Sequence, residues 1–248
     1  VPGAGEFPVL KLPSRVSAIL KPAPDVAVLT MQLAANQNFQ FKAGQYVEFI
    51  LRDGARRSYS MANAPHENDT LHLHIRHVPG GQFTQIVPQL KAGDTLQVEL
   101  PYGNFELKEE SIGPMLCVVG GTGFAPVKSL LDDMVKKGVK RPVTLVWGGR
   151  SRKGIYLPAA VERWKKLMPD FRFIPALQDA DDARDLIGFN GRPDDAVRQN
   201  FPVLKGHEVY CCGSPAMVTA VRKVCVEERG LDPHHFFSDV FVPGPAAA

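Results

Sequence analysis

A glycine-rich segment at 120–126, GGTGFAP, follows an apolar run and precedes an amphipathic stretch. The apolar run at 115–119 is typical of a buried strand, and the apolar residues after Pro126 recur at helical spacing. A loop in this position presents free backbone N–H groups and the positive end of a helix dipole, and glycines let the backbone come close to a ligand. The segment is therefore predicted to bind the phosphates of a nucleotide, although its pattern G-x-G-x-x-P departs from the G-x-G-x-x-G fingerprint.

The first half of the chain carries two further candidate anion sites. In the run RSYS at 57–60, strand alternation places Arg57 and Tyr59 on one face and Ser58 and Ser60 on the other. An arginine with an aromatic ring two residues on can hold a phosphate and stack a planar ring, although this pair taken alone is more typical of an exposed cation beside a barrel tyrosine. The segment GGQFT at 80–84 is expected to open a helix and to form a second helix-terminus site. Candidate anion sites in both halves of the chain imply two phosphate-bearing cofactors.

Residues 14–107 have the rhythm of short strands broken by turns. The alternation of Leu71, Leu73 and Ile75 with polar residues is typical of a half-buried strand. Regularly spaced short strands predict an antiparallel β-barrel, here of six strands, interrupted by one short helix at 83–90. The six predicted strands are 14–21, 25–33, 45–52, 57–63, 70–78 and 95–100.

After Pro114 the rhythm changes to strands that alternate with helices. This alternation predicts an α/β domain with a parallel sheet and helices on both of its faces. The polar segment at 108–114 marks the boundary, so that 1–110 form the barrel domain and 111–248 the α/β domain. The predicted strands are 115–119, 143–147, 172–176 and 208–211, and the predicted helices follow Pro126 and occupy 157–167 and 215–229.

Composition and charge exclude several classes of protein. The chain has 248 residues and a net charge of +3, which is too small an excess to predict a nucleic-acid-binding face. Its four cysteines form no C-x-x-C, so neither a disulfide framework nor a metal site is expected. We expect instead a reduced, cytoplasmic protein. No apolar run approaches the roughly 18 residues needed to span a bilayer. The segment 1–8 is expected to be a linker, and Lys136–Lys137 with Lys140–Arg141 a solvated helix end, with a docking patch for an acidic ferredoxin as the less favoured interpretation.

Five motifs, in this order, resemble those of the ferredoxin–NADP reductase superfamily. They are RSYS at 57–60, GGQFT at 80–84, GGTGFAP at 120–126, CGSPAM at 212–217 and FFSDVF at 236–241. Within the superfamily, RHVPGGQFT and the FFSDVF ending are most similar to the reductase components of oxygenases and to CDP-6-deoxy-hexoseen reductases. The resemblance implies a six-stranded FAD-binding barrel, a following nicotinamide-nucleotide domain, and an NAD(P)H-dependent reductase that passes a hydride to N5 of FAD.

The resemblance also assigns roles within the barrel domain. It implies that Arg57 binds the FAD phosphates, that Tyr59 stacks on the isoalloxazine and that the Ser60 hydroxyl approaches flavin N5. The pyrophosphate is expected to contact Gln82, Phe83 and Thr84. The remaining expected contacts with FAD are Ser58, His74, Ile75, Arg76 and Gly81.

In the second domain, the resemblance implies a binding site for the nicotinamide nucleotide. Its expected members are Gly121, Thr122, Gly123, Cys212 and Gly213. Cys212 is expected beside the nicotinamide without a nucleophilic role, and Asp239 stands where the family often has an acidic residue near the flavin. Phe237 or Phe236 is expected to cover the flavin face. Together with Ser60, Cys212 and Asp239 are the residues expected at the hydride transfer.

The choice between NADH and NADPH stays open. Arg150, Ser151, Arg152 and Lys153 follow the predicted strand at 143–147. Three cations and a serine suit the 2′-phosphate of NADPH, and no acidic residue in this segment is in place for the ribose of NADH. The relatives suggested by the resemblance nevertheless often use NADH.

The electron output also stays open. A plant-type [2Fe–2S] domain requires C-x4-C-x2-C and a distant fourth cysteine, which this sequence does not supply. Electrons are therefore expected to pass to a separate ferredoxin-like or oxygenase partner, unless a cluster domain precedes this chain in a longer protein. The two alternatives are a reductase of free flavin and a flavin-bearing electron-transfer subunit with little activity alone.

Overall fold

The computed structural model describes residues 6–34, 39–179, 181, 184 and 187–242. Of the linker expected at 1–8, residues 1–5 lie outside the described residues. The described chain forms two compact units. One comprises the residues up to Leu107 together with Lys128–Asp133, and the other comprises Lys108–Val127 and Met134–Val242.

The first unit contains an antiparallel sheet of six strands. They are β1 (Leu10–Ala23), β2 (Val26–Leu33), β3 (Tyr46–Ile50), β4 (Arg56–Ser60), β5 (Thr70–Arg76) and β6 (Thr95–Tyr102). Their order in the sheet is β4-β3-β6-β1-β2-β5. Met61, directly after β4, pairs with Leu73 in β5, so the sheet closes on itself. The prediction of a six-stranded antiparallel barrel is confirmed.

Strand alternation decides which side chains fill the barrel. Leu71, Leu73 and Ile75 of β5 are buried in one apolar cluster with Val47 and Phe49 of β3. The intervening residues of β5 point to the opposite face, as the two-residue period of a strand requires. This cluster is the framework on which the RSYS strand β4 is mounted.

The helix predicted at 83–90 is wrong. Residues 82–86 form turns, and only Val87–Gln89 is helical, as a single 3₁₀ turn. The Thr84 hydroxyl donates to the carbonyl oxygen of Val78 at 2.9 Å, and Pro88 has no N–H to donate. Both features favour a turn over an α-helix, so GGQFT does not provide the helix N-terminus that was expected.

The second unit contains a parallel sheet of six strands in the order β10-β9-β8-β7-β11-β12. The strands are β7 (Met115–Gly120), β8 (Val143–Gly149), β9 (Phe171–Leu177), β10 (Phe189–Asn190), β11 (Glu208–Gly213) and β12 (Phe236–Val240). The α-helices of the described residues are α1 (Phe124–Lys137), α2 (Pro158–Leu167), α3 (Pro193–Asn200) and α4 (Pro215–Arg222). The prediction of an α/β domain with a parallel sheet is confirmed.

Helices cover both faces of the parallel sheet. Val146 of β8 packs in a cluster with Val197 of α3 and Val221 of α4. The next residue along β8, Trp147, points to the opposite face, where Phe124 of α1 stacks on it with ring centroids 3.8 Å apart. The two clusters therefore hold the sheet between two layers of helices, as the alternating pattern predicted.

Four features of this unit differ from the pattern. Helix α3 and the edge strands β10 and β12 were not predicted, because PDDAVRQN is short and mostly polar, β10 has only two residues and FFSDV lacks a clear alternation. The helix predicted at 215–229 is α-helical only to Arg222, and a π-helical turn at Lys223–Glu228 continues it.

The predicted solvated helix end is corrected in part. The Arg141 side chain is only 4% exposed, where it pairs with Glu208, and Lys137 forms an ion pair with Glu109. Arg141 is therefore buried rather than solvated, whereas Lys136, Lys137 and Lys140 are exposed, as predicted. No helix within the described ranges is long and apolar enough to cross a membrane.

Candidate functional site

The RSYS strand sits at the edge of the barrel core. In the β3–β4 pairing, Tyr59 lies opposite Val47 and Arg57 opposite Phe49, so both side chains point to the core side of the sheet. Arg57 and Tyr59 thus share a face, as predicted. Ser58 is exposed on the other face, and Ser60, at the end of β4, is buried.

The Tyr59 ring is held by other aromatic rings. Its centroid lies 5.5 Å from that of Phe83 and 6.0 Å from that of Phe49. Burial raises the pKa of Tyr59 to about 12, so its hydroxyl stays protonated near neutral pH. A neutral ring in a fixed orientation is suited to stacking on a planar ligand.

A hydrogen-bonded chain fixes the Arg57 guanidinium. Arg57 Nη2 donates to Gln82 Oε1 at 2.9 Å, and Gln82 Nε2 donates to Asp53 Oδ2 at 2.6 Å. Hydrogen bonds from the Ala55 N–H and then from Gln82 lower the pKa of Asp53, which keeps this carboxylate charged. A small cleft is lined by Arg57, Tyr59, Val78, Gly81, Gln82, Phe83 and Thr84. This arrangement presents an oriented cation and an aromatic ring in one cleft, which fits a phosphate joined to a planar group.

The turn at 80–84 contributes backbone rather than a hydroxyl. The Thr84 hydroxyl donates to Val78 O and accepts from Val78 N, so it braces the turn. In the described part of the chain, no carbonyl oxygen accepts from the N–H of Phe83 or Thr84. A Cβ on Gly81 would lie 2.7 Å from Thr84 Oγ1, so only glycine fits there. The turn therefore offers backbone N–H groups to an anion without the expected helix.

The three residues predicted on β5 are placed differently from one another. Ile75 lies in the barrel core, so only its backbone faces outward. His74 is buried on the other face, and burial lowers its pKa to about 3, so the imidazole is neutral. Arg76 is exposed, and its Nε donates to Asp25 Oδ2 at 3.2 Å. Any contact of Ile75 with a flavin would therefore run through its backbone.

In the second unit, the glycine loop lies at the point where the strand order reverses. The chain moves outward from β7 through β8 and β9 on one side and continues with β11 and β12 on the other. The carboxyl ends of the strands on either side of such a switch point form the usual ligand crevice of open α/β sheets. The 3₁₀ turn Gly121–Gly123 follows β7 directly and leads into α1, so the predicted strand–loop–helix context is present.

The loop packs against the end of β11 through glycines. A Cβ on Gly123 would overlap the carbonyl group of Cys212, with the carbonyl carbon at 2.6 Å. A Cβ on Gly120 or Gly213 would meet Met217 Sδ at 2.6 or 3.0 Å. Gly121 has a φ of +55°, a conformation that favours glycine. The absence of side chains brings the two backbone segments together and leaves their polar groups to a ligand.

Cys212 and Asp239 are neighbours across the β11–β12 pair. They lie in register, and Cys212 is fully buried. Burial first, and then the negative charge of Asp239, raise the pKa of the Cys212 thiol well above its usual range. A protonated, buried thiol agrees with the expectation that Cys212 is not a nucleophile.

The aromatic residue at this end of the sheet is Phe241, which the sequence analysis did not single out. Its backbone N–H donates to Gly213 O at 2.8 Å, just beyond the carboxyl end of β12. Phe237 pairs with Tyr210 nearer the other end of the strand, and Phe236 packs on the apolar core beside α4. The register of β12, which was not predicted as a strand, separates these three phenylalanines.

An acidic residue, Asp179, lies beside the segment predicted to choose the coenzyme. Arg150 and Arg152 are exposed after β8, and Arg152 begins a 3₁₀ turn to Gly154. The backbone N–H of Asp179, beyond β9, donates to Arg150 O at 2.8 Å. This acidic residue was not predicted because it follows the neighbouring strand, whose carboxyl end meets the same edge of the sheet.

The histidines and cysteines give no sign of a metal site. Within the described ranges, no group of three or more metal-ligating side chains is close enough to hold an ion. All four cysteines are buried as free thiols.

Two family models match the chain in the same order as the two units. The oxidoreductase FAD-binding domain matches residues 13–107, and the oxidoreductase NAD-binding domain matches residues 116–223.

Similar proteins agree with these matches. Reductase component 2 of terephthalate 1,2-dioxygenase from Comamonas is 51% identical over 223 residues, which cover 90% of this chain and 66% of that protein. The CDP-6-deoxy-L-threo-D-glycero-4-hexulose-3-dehydrase reductase of Yersinia pseudotuberculosis is 37% identical, over 93% of this chain and 69% of that one. The crystal structure of the Amycolatopsis cytochrome P450 reductase GcoB superposes with a TM-score of 0.87 at 33% identity, over 96% of this chain and 72% of that one. The chain thus spans about two thirds of the length of the curated relatives it matches. It belongs to the ferredoxin–NADP reductase superfamily, with an FAD-binding domain followed by an NAD-binding domain.

Proposed function

We propose that this chain is the reductase part of an oxygenase-type electron-transfer system, and that it takes a hydride from NADH or NADPH onto FAD. One observation carries the proposal: a single chain joins an FAD-binding barrel, with an oriented arginine in its cleft, to a NAD-binding sheet with a glycine loop at its switch point. We further propose that the work divides between 1–110 and 111–248.

In the barrel, Arg57 holds the phosphates of FAD. Gln82 and Asp53 keep the guanidinium in one orientation, so little side-chain entropy is lost when the phosphate binds. Tyr59 stacks on the isoalloxazine, supported from behind by Phe83. The N–H groups of the 80–84 turn complete the pyrophosphate site, and the Ser60 hydroxyl lies at the end of the same strand as Tyr59.

In the second unit, the backbone of Gly121–Gly123 receives the pyrophosphate of the nicotinamide nucleotide. Cys212 and Gly213 bound the nicotinamide pocket, and Phe241 rather than Phe237 supplies the aromatic cover, because Phe241 lies beside Gly213. FAD, when bound, accepts a hydride from the nicotinamide and can release the electrons singly. The role of these residues is to bind and orient the two reactants, which lowers the barrier to the transfer.

The electron acceptor is proposed from the relatives. The similar proteins are reductase components of a dioxygenase and of a dehydrase, together with a cytochrome P450 reductase. We therefore propose a ferredoxin-like or oxygenase component as the acceptor of this chain. A reducing, cytoplasmic setting is supported by four free thiols.

Anaerobic stopped-flow spectroscopy tests the proposal. Protein loaded with FAD is mixed with NADH or with NADPH, and the flavin absorbance is followed. We expect rapid bleaching by at least one nucleotide, and the proposal fails if neither bleaches it.

Gel filtration of the loaded protein separates the proposal from its alternatives. FAD that stays with the protein supports the bound cofactor, whereas complete loss of FAD supports a free-flavin reductase. Retained FAD that neither nucleotide bleaches would indicate a passive electron-transfer subunit.

A further inference from the structure

A buried ion pair lies at the amino end of strand β11 in the parallel sheet. Arg141 Nη2 donates to Glu208 Oε1 at 2.7 Å, and both side chains are at most 6% exposed. Arg141 also donates from Nε to Gly113 O at 2.9 Å and from Nη1 to Lys108 O at 3.3 Å. Charges buried this deeply are retained only when their hydrogen-bonding groups find partners, and here the partners are the backbone of the segment 108–113.

Tyr210 joins this ion pair to the start of the same segment. Its hydroxyl donates to Glu208 Oε2 at 3.4 Å and accepts from the backbone N–H of Lys108 at 3.0 Å. The side chain is fully buried, and burial raises the pKa of Tyr210, so the hydroxyl keeps the proton that it donates. Lys108, which begins the second unit, is thereby attached to the middle of strand β11.

The ring of Tyr210 faces strand β12. Its centroid lies 5.1 Å from that of Phe237, and Lys108 Nζ lies 5.3 Å from the centroid of Phe237. Phe237 is therefore held by an aromatic contact and by a cation–π contact. Both contacts come from residues of the same buried network.

The position of β12 matters for the proposed nicotinamide pocket. Among the described strands, β12 is the outermost of the sheet and pairs with β11 alone. Two residues after Phe237 it places Asp239 in register with Cys212, and then Phe241 beside Gly213. Besides its backbone pairing with β11, such a strand is held by the side-chain contacts of Phe237.

We propose that Tyr210 is a positioning residue, which holds β12 through Phe237 and so sets Asp239 and Phe241 beside the nicotinamide pocket. The proposal rests on the proposed function, because it assigns the pocket at Cys212 and Gly213 to the nicotinamide. Tyr210 touches neither cofactor site and acts through Phe237.

Two variants of the full chain test this role. Tyr210→Phe keeps the ring but removes the hydroxyl, and with it the hydrogen bonds to Glu208 and Lys108. Phe237→Leu removes the ring contact without unpairing a buried polar group. Tyr102→Phe is the matched control, because Tyr102 also gives its hydroxyl to a carboxylate, that of Glu99, on strand β6 of the barrel. Phe237→Tyr is the conservative variant that retains the ring.

The first readout is amide hydrogen exchange without any nucleotide. We expect the Phe241 N–H, which is bonded to Gly213 O, to exchange about tenfold faster in Tyr210→Phe and Phe237→Leu, and at the wild-type rate in Tyr102→Phe. Unchanged protection in both test variants overturns the proposal.

The second readout is flavin bleaching by NADH or NADPH over a range of concentrations. We expect the limiting rate to fall about tenfold in both test variants and to recover in Phe237→Tyr, with little change in the concentration that gives half the limiting rate. A lower melting temperature with an unchanged limiting rate would show a structural role only and overturn the proposal. Wild-type protein that neither nucleotide bleaches would instead overturn the proposed function, while the exchange result would still decide the position of β12.

Discussion

Replacing Gly123 by alanine tests the backbone packing on which the nucleotide site depends. The new Cβ would lie 2.6 Å from the carbonyl carbon of Cys212 and 3.1 Å from Gly213 N, and its contact with the Cys212 oxygen would be closer still. Real Cβ atoms keep at least 3.0 Å from such neighbours, so the loop and the end of β11 must move apart. Because both sides of the contact are backbone, no flexible side chain can relieve the overlap.

The expected loss follows from this displacement. A shift on the order of 1 Å in a positioned reactant costs about 100-fold in rate, so we expect the limiting rate of flavin bleaching to fall by about that factor. FAD affinity should be unchanged, because its proposed contacts are at 57–84. Anaerobic stopped-flow mixing measures the rate, and fluorescence titration measures FAD binding.

Gly138→Ala is the matched control for Gly123→Ala. Gly138 ends α1 with a φ of +68° and has no neighbour within 4 Å of an added Cβ. Alanine there costs about 1 kcal/mol of conformational strain without an overlap. Bleaching at the wild-type rate by Gly123→Ala, or equal losses in the two variants, would refute the reasoning.

Three further predictions address other residues. Arg57→Ala should weaken FAD binding about 10- to 100-fold, since a charged hydrogen bond contributes about 1.5–3 kcal/mol. Arg56→Ala should leave FAD binding unchanged, because the Arg56 guanidinium pairs with Glu48 and Glu99 on the other face. Equal losses of FAD affinity in the two variants, measured by titration, would contradict the assignment. Burial lowers the pKa of His74 to about 3, below the unfolded value of 6.5, so the unfolded state binds the proton first as the pH falls. Urea unfolding should therefore show the free energy of unfolding decreasing by about 2 kcal/mol between pH 7 and pH 5. The decrease should be smaller in His74→Gln. The double change of Arg150 and Arg152 to alanine should weaken NADPH binding about tenfold and leave NADH binding unchanged if these cations receive the 2′-phosphate. A loss of NADH binding in Asp179→Ser alone would instead assign the ribose to Asp179.

The sequence predicted all six barrel strands and the four inner strands of the parallel sheet, because these segments have clear apolar patterns, but it missed the edge strands β10 and β12. The alternation at 70–78 predicted β5, and the helical spacing after Pro126 predicted α1. It failed where a single side chain competes with the backbone pattern. The Thr84 hydroxyl captures the backbone of Val78 and turns the expected helix at 83–90 into a series of turns.

The candidate site was predictable where the residue type alone carries the chemistry. Arg57 and Tyr59 lie on one face as alternation required. Residues that depend on register between distant strands were not predictable. Asp179 reaches Arg150 only because β9 pairs with β8, and Phe241 reaches Gly213 only because β12 pairs with β11.

The two proposed phosphate sites are built on different principles, so different substitutions should weaken each of them. The barrel site depends on a series of hydrogen-bonded side chains, in which Asp53 orients Gln82 and Gln82 orients Arg57. It should weaken when any of these side chains is shortened. The loop site at 121–123 depends on missing side chains, so it should weaken when a Cβ is added and should tolerate changes at exposed neighbours. Glycine at such a position therefore indicates a contact between two backbone segments, and this packing supports the proposed site although the motif itself departs from the fingerprint.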